Sequence, residues 1–258
     1  RTFPGSSRYK TFKRSAKMRA DDRRTKKEGR IALGRKNSGI SRKSYGRVNV
    51  LNYLLFSFLG YLSGSILFCY CFPLWFKKID ITKKSADKNP GAFNCFCFAG
   101  PLVGIPALLC DLLKGAIPVF AAARFTDAQS PAFALVMIAP VLGHAFPVFR
   151  NFRGGKAITV TFGALLGLLP FWQPVVLLAV IYLFFSLCVR VYPNRSRSMV
   201  VFLCFGVLSF VWLRAGAVSL GCVVNSAVVF IKHKFSPEGE TGQSFVKLPI
   251  INKRFFEK

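Results

Sequence analysis

Gly143 to Ala157 reads GHAFPVFRNFRGGKA, and it joins two stretches, 131–149 and 157–172, that contain no Lys, Arg, Asp or Glu. One short link between greasy segments thus gathers His144, Arg150, Arg153, Lys156 and the pair Gly154-Gly155. The same alternation runs along most of the chain. Apolar runs fall at 50–76, 99–123, 131–149, 157–172, 174–191, 199–213 and 215–231, with basic links between them. About 20 apolar residues cross a bilayer as helix, and backbone groups in lipid must be satisfied within the segment. The pattern therefore predicts an all-α polytopic integral membrane protein of about seven transmembrane helices, with glycine-containing basic loops. Prolines at 73, 101, 118, 131, 140, 147, 170 and 174 mark helix ends, hairpins or kinks.

Composition agrees. Of 258 residues, 52% are hydrophobic, 28 are Phe and only 10 are Asp or Glu, and the mean hydropathy is +0.40. A soluble domain of ordinary composition carries about 25% charged residues of both signs. The net charge of +27 points to nucleic acid until its distribution is read: 17 of the 37 Lys and Arg lie in residues 1–47. That tail has no apolar period and is too charged to bury a core, so it is expected to be disordered and to bind no nucleic acid. It lacks the apolar core of a signal peptide and begins at Arg1, which reads as a dispensable, partly non-native extension. Three regions result: the 1–47 tail, a membrane body over 48–235 and a C-terminal tail over 236–258.

The eight cysteines include two Cys-x-Cys pairs, Cys69/Cys71 and Cys95/Cys97, without zinc-type spacing or a histidine partner. They are read as small hydrophobes, with no metal and no cofactor expected.

Seven spans put 77–94, 150–156, 190–197 and the segment from Lys232 on one side, and 124–130, 171–174 and Arg214 on the other. Lys and Arg concentrate on the first side, which the positive-inside rule makes cytoplasmic. Three segments on or near that face suit an anion. Gly154 and Gly155 allow a tight turn whose N–H groups can face a phosphate, with Lys156 at the next helix start and Arg150 and Arg153 as forked donors. SADKNPGAFN (85–94) offers Asn89, Gly91 and Asn94 beside lysines. DLLKGAIP (111–118) sets Asp111 and Lys114 on one helix face inside an apolar run, where ionisable groups are paired or functional. Ordinary positive-inside anchoring explains the first two segments as well.

Taken in order, GSI (64–66), DI (80–81) with ADKNPGAFN (86–94), LKGAIP (113–118) and GHAFPVFRNFRGGKA (143–157) resemble the motifs of the bacterial acyl-phosphate-dependent glycerol-3-phosphate acyltransferases, the PlsY family, over roughly 50–235. The family's Gly-Ser-Gly stands here as Ala86-Asp87-Lys88, its Thr as Phe93, its first motif Lys as Arg153 and its last Gly as Ala157. A His followed three residues later by Asn becomes His233 and Ser236. The resemblance implies transfer of a fatty acyl group from acyl phosphate to the 1-hydroxyl of glycerol 3-phosphate, giving lysophosphatidic acid in a bacterial cytoplasmic membrane, by a monomer facing the cytoplasm. It further implies a catalytic set of Ser65, Asn89, His144, Lys156 and His233. Gly91, Asn94, Lys114, Gly115, Arg153, Gly154 and Gly155 would bind substrate, and the acyl chain would lie among membrane lipid. A small secondary transporter for an anionic metabolite and a catalytically silent lipid-binding relative are the competing readings.

Overall fold

A computed structural model describes residues 50–213, 216–236 and 245–247. The basic tail read over 1–47 and most of the 236–258 tail lie outside the described residues. The body is mainly helical, as a succession of long apolar runs dictates. Helix α1 (50–65) and α2 (Phe68–Lys77) form one broken span, followed by the short α3 (Ile81–Lys84) and α4 (Ala92–Ala99). Then come α5 (Pro101–Phe125), α6 (Phe133–Ala145), α7 (Ile158–Leu166) and α8 (Gln173–Leu183), the last running into a π-turn over Phe184–Cys188. Helices α9 (Asn194–Trp212) and α10 (Gly216–Lys234) complete the set.

Five segments have the length and composition to cross a bilayer: Val50–Lys77, Pro101–Phe125, Phe133–Arg150, Asn194–Trp212 and Gly216–Lys234. Among the described residues two of the seven apolar runs fall short of that length, for a physical reason. The 157–172 run folds as a nine-residue helix, about 14 Å long at 1.5 Å per residue, against a hydrocarbon core of about 30 Å. The 174–191 run is shorter than its apolar length, because the chain leaves the helix at Cys188 and extends as strand β1 (Arg190–Tyr192). Strand β1 pairs antiparallel with β2 (Phe245–Lys247), Val191 opposite Val246, an element no apolar period announces.

The helices meet through small residues. Helix α7 carries Gly163 and Gly167 one turn apart, and a Cβ on either would run into a backbone carbonyl of α5, Leu112 or Ala116 respectively. Close approach of this kind drives helix association where lipid tails are as apolar as leucine. A buried core of Val136, Met137, Val160, Phe202, Phe205 and Val229 ties α6, α7, α9 and α10 together. A smaller cluster, with Cys69, Ile81, Cys95 and Ala107, fixes α2, α3 and α4 on α5. Outward-facing side chains remain large and apolar, Leu102 at 88% and Phe210 at 72% exposed, which suits a lipid solvent.

The break between α1 and α2 is filled from α5. Phe68 N–H and Cys69 N–H donate to the two carboxylate oxygens of Asp111 at 3.2 and 3.3 Å, and Lys114 donates to the carbonyl of Ile66. An acid thus meets the positive end of α2 and a base the last carbonyls of α1. The pair also closes on itself at 2.7 Å, with both side chains almost wholly buried. At the other end of α1, the Tyr53 hydroxyl donates to Asp127 O and accepts from Asp127 N, which ties that end to the α5–α6 link.

Candidate active site

A cavity of about 760 Å³ opens where the loop before α4, the link into α7, the start of α9 and the end of α10 converge. These are the basic segments that alternation put on one face. Asn89, Gly91, Asn94, His144, Lys156 and His233 all line it.

Of the two acids in its wall, Asp111 is the one already paired with Lys114, and Asp87 has an equally definite partner. Asp87 Oδ2 accepts from Lys156 Nζ at 2.8 Å, while Oδ1 accepts from Asn94 Nδ2 at 2.8 Å and Asn89 N–H at 3.2 Å. Asn94 also donates to the carbonyl of Asn89, closing the loop into a rigid knot. Burial pushes the Asp87 carboxyl up, but the hydrogen bonds from Lys156 and Asn94 and the charge of Lys156 outweigh it. The net effect holds its pKa below the usual carboxylate value. Lys156 is therefore engaged by an internal anion, and Lys88 faces away from it, into a second hollow.

The two histidines differ. His144 is buried, with Nδ1 2.9 Å from Lys114 Nζ; an ammonium can only donate, so Nδ1 accepts. His233 Nδ1 lies 2.8 Å from the carbonyl of Val229, which can only accept, so that nitrogen carries the proton and Nε2 is the acceptor.

Several expected members lie elsewhere. Ser65 is buried, its hydroxyl donating to Tyr61 O and accepting from Val148 N–H at the end of α1. Lys114 is consumed by Asp111, His144 and Ile66, and Gly115 is where α5 meets the backbone of Val160 on α7. Both serve helix packing, and neither lines the cavity. Gly155 N–H donates to His144 O at 3.1 Å, so it is spent on the loop, and a Cβ on Gly154 would strike the same carbonyl. Arg153 lines the second hollow with Gly154. The cations Arg153 and Lys156 are separated by Gly154-Gly155, which pack against the carbonyl of His144, while Asn151 and Phe152 before them adopt left-handed backbone, φ 48° and 60°. Ala157, where the resembled motif has glycine, is left-handed as well at φ 61°, a conformation that costs an L-residue about 1–2 kcal/mol.

What the sequence reading missed is the start of α9. Arg195, Arg197 and Ser198 line the cavity, with Tyr182 of α8 beneath the Arg197 guanidinium at 5.9 Å. Among the described residues, Arg197 Nε and the hydroxyl of Ser85 are buried in this wall without a hydrogen-bond partner. The signal was present in RVYPNRSR, where the charges served only to assign a side. No three of His, Cys, Asp or Glu converge as metal ligands among the described residues.

A broken-helix membrane body with a cation-rich cavity at one end defines a polytopic integral membrane protein whose site is built for an anion. The chain belongs to the glycerol-3-phosphate acyltransferase family, whose profile matches residues 54–238. A glycerol-3-phosphate acyltransferase of Pseudomonas paraeruginosa is 35% identical over 180 residues, covering 70% of this chain and 91% of that protein. One from Thermotoga petrophila is 45% identical over 113 residues, covering 44% of this chain and 57% of that protein, so the match spans little more than half of that relative. Among solved structures, PlsY (YgiH), an integral membrane glycerol 3-phosphate acyltransferase, matches in its glycerol 3-phosphate form with a TM-score of 0.62 and 25% identity. That match covers 70% of this chain and 88% of the other. Its lysophosphatidic acid form matches over the same shares with a TM-score of 0.60.

Proposed function

We infer that the protein transfers a fatty acyl group from acyl phosphate to the 1-hydroxyl of glycerol 3-phosphate. The observation that carries this reading is the composition of one cavity wall. Lys156, Arg195 and Arg197 stand with Ser85, Asn89 and His233 around a volume suited to small ligands, and two of its buried polar atoms lack a protein partner. Both are donors that a bound phosphate could engage, and the guanidinium fork fits its oxygens better than a point charge does.

The chemistry asks little of the protein. The acceptor oxygen attacks the acyl carbon, the new ester C–O bond forms, and the C–O bond of the mixed anhydride breaks as phosphate leaves with the electron pair. The hydroxyl proton passes to the departing phosphate or to Nε2 of His233. An activated donor needs no protein nucleophile, so holding two anions together supplies the acceleration. Lys114 and Ser65 support the site from behind, while Arg197 and Ser85 join Lys156 in contact with phosphate. The acyl chain lies among lipid-facing side chains. All these groups come from one chain, which suits a monomer, and the concentration of Lys and Arg at the cavity end orients it toward the cytoplasm.

The test is phosphate release by the full chain in detergent with palmitoyl phosphate and glycerol 3-phosphate. Acceptor-dependent release is expected, with KM for glycerol 3-phosphate raised about tenfold or more in Arg197→Gln, the loss of one charge-assisted hydrogen bond. A folded preparation without acceptor-dependent release would overturn the assignment.

A further inference from the structure

We propose that the second hollow is a docking site for the phosphate headgroup of an anionic phospholipid. It measures about 460 Å³ and is lined by Thr82, Lys83, Lys88, Arg150, Arg153 and Gly154, four cations and no carboxylate. None of the four forms an ion pair among the described residues, whose pairs are Lys114 with Asp111 and Lys156 with Asp87. The acids on this segment are held elsewhere: Asp80 caps α3, accepting from Thr82 N–H at 3.0 Å and its hydroxyl at 2.6 Å, and Asp87 is paired with Lys156. Four like charges around one concavity repel unless an anion joins them.

The cations are also held in place. The Arg150 guanidinium lies 3.8 Å from the centre of the Tyr70 ring on α2 and donates to Arg153 O at 3.4 Å, which fixes the direction of its fork. The surroundings say which anion. Phe149 and Phe152 are exposed on the loop that carries both arginines, and Trp75 and Phe76 are exposed on the last turn of α2, just before the segment that carries both lysines. Trp75 is of the type that settles at the bilayer interface, and the exposed phenylalanines beside it extend an apolar surface suited to the acyl side of that interface. Basic clusters there gain about 1 kcal/mol per Lys or Arg from anionic lipid. An acidic protein from the aqueous side would gain nothing from rings turned into the membrane.

The site is separate from the reaction cavity, yet the two share walls. Along the 82–89 segment, Lys83 and Lys88 face the hollow while Asp87 and Asn89 face the cavity; in the next loop Arg153 and Lys156 divide the same way. A headgroup bound here braces both loops from behind.

The experiment follows thermal unfolding of the full chain in detergent, without turnover, so that it stands apart from the acyltransferase reading. Dioctanoyl phosphatidylglycerol should raise Tm where dioctanoyl phosphatidylcholine does not. The pairs Lys83→Gln/Lys88→Gln and Arg150→Gln/Arg153→Gln should each weaken the lipid's apparent affinity about thirtyfold, the loss of two such charges. Lys77→Gln/Lys78→Gln, which removes equal charge just outside the hollow, should leave it within about threefold. Equal protection by both lipids, or an equal loss in the Lys77/Lys78 control, would refute the site. Protection by inorganic phosphate as strong as that by the lipid would assign the hollow to free phosphate instead. Protection by poly-glutamate with none by phosphatidylglycerol would assign it to an acidic protein, and the lipid reading would fall.

Discussion

Replacing Asp87 with Asn should make this protein a better phosphate binder. Asp87 and Lys156 meet at 2.8 Å, each side chain 21% exposed. Two unit charges at that separation attract by about 6 kcal/mol at an effective dielectric near 20, most of it offset by lost hydration. What a substrate phosphate must displace is the charge-assisted hydrogen bond itself, about 1.5–3 kcal/mol, and partial exposure places the figure at the lower end. Asn at this position can still accept from Asn94 and from the Asn89 N–H, so the knot of the loop survives while the charge on Lys156 is released. Glycerol 3-phosphate should then bind about tenfold tighter, the factor that about 1.4 kcal/mol represents.

Titration calorimetry on the full chain in detergent, without donor, reads this directly. Steady-state phosphate release should show the same drop in KM with kcat changed by less than about threefold. The reasoning fails if affinity stays the same or falls. If kcat collapses while affinity is unchanged, Asp87 acts on the reacting hydroxyl rather than by holding Lys156. Asp87→Ser, which restores the residue of the resembled motif, should behave as Asp87→Asn does in binding.

Two further outcomes follow from the buried charges. The depressed pKa of Asp87 means its contribution to stability is fully present above the usual carboxylate value of 3.8 and is lost as pH falls through the folded value. The Tm difference between wild type and Asp87→Asn should therefore stay constant from pH 7 to about 5 and shrink below about pH 4. Lys114→Met strands the buried Asp111 carboxylate and should cost about 3–5 kcal/mol in unfolding, with Asp111→Asn/Lys114→Met costing clearly less; a stable Lys114→Met protein with only a raised KM would return Lys114 to the substrate.

How far the sequence carries this reading depends on which interactions are local. Uncharged runs announce their helices because a bilayer leaves backbone no other partner, and the basic links announce a shared face because charge cannot stay in lipid. Helix α7 escapes that logic: its run is apolar enough to span, but its glycines are spent on docking against α5 rather than on crossing. The Asp111–Lys114 pair was legible as costly and paired, yet its task is set by a break in a different helix at Ile66–Leu67, which no spacing within α5 reveals. Arg153 and Lys156 read as neighbours in one motif, yet the Gly154-Gly155 pair packed on His144 O lies between them and they line different cavities. Asp87, which stands where the resembled motif has Ser, is neutralised by Lys156 from a loop 69 residues away, a pairing no local spacing shows. With that pair closed on itself, the start of α9 adds Arg195 and Arg197 to the cavity wall, and Arg197 carries a buried nitrogen without a protein partner. The proposed phosphate contact at Arg197 thus lies outside the motifs that first identify the family, which is why those motifs alone understate the cavity wall.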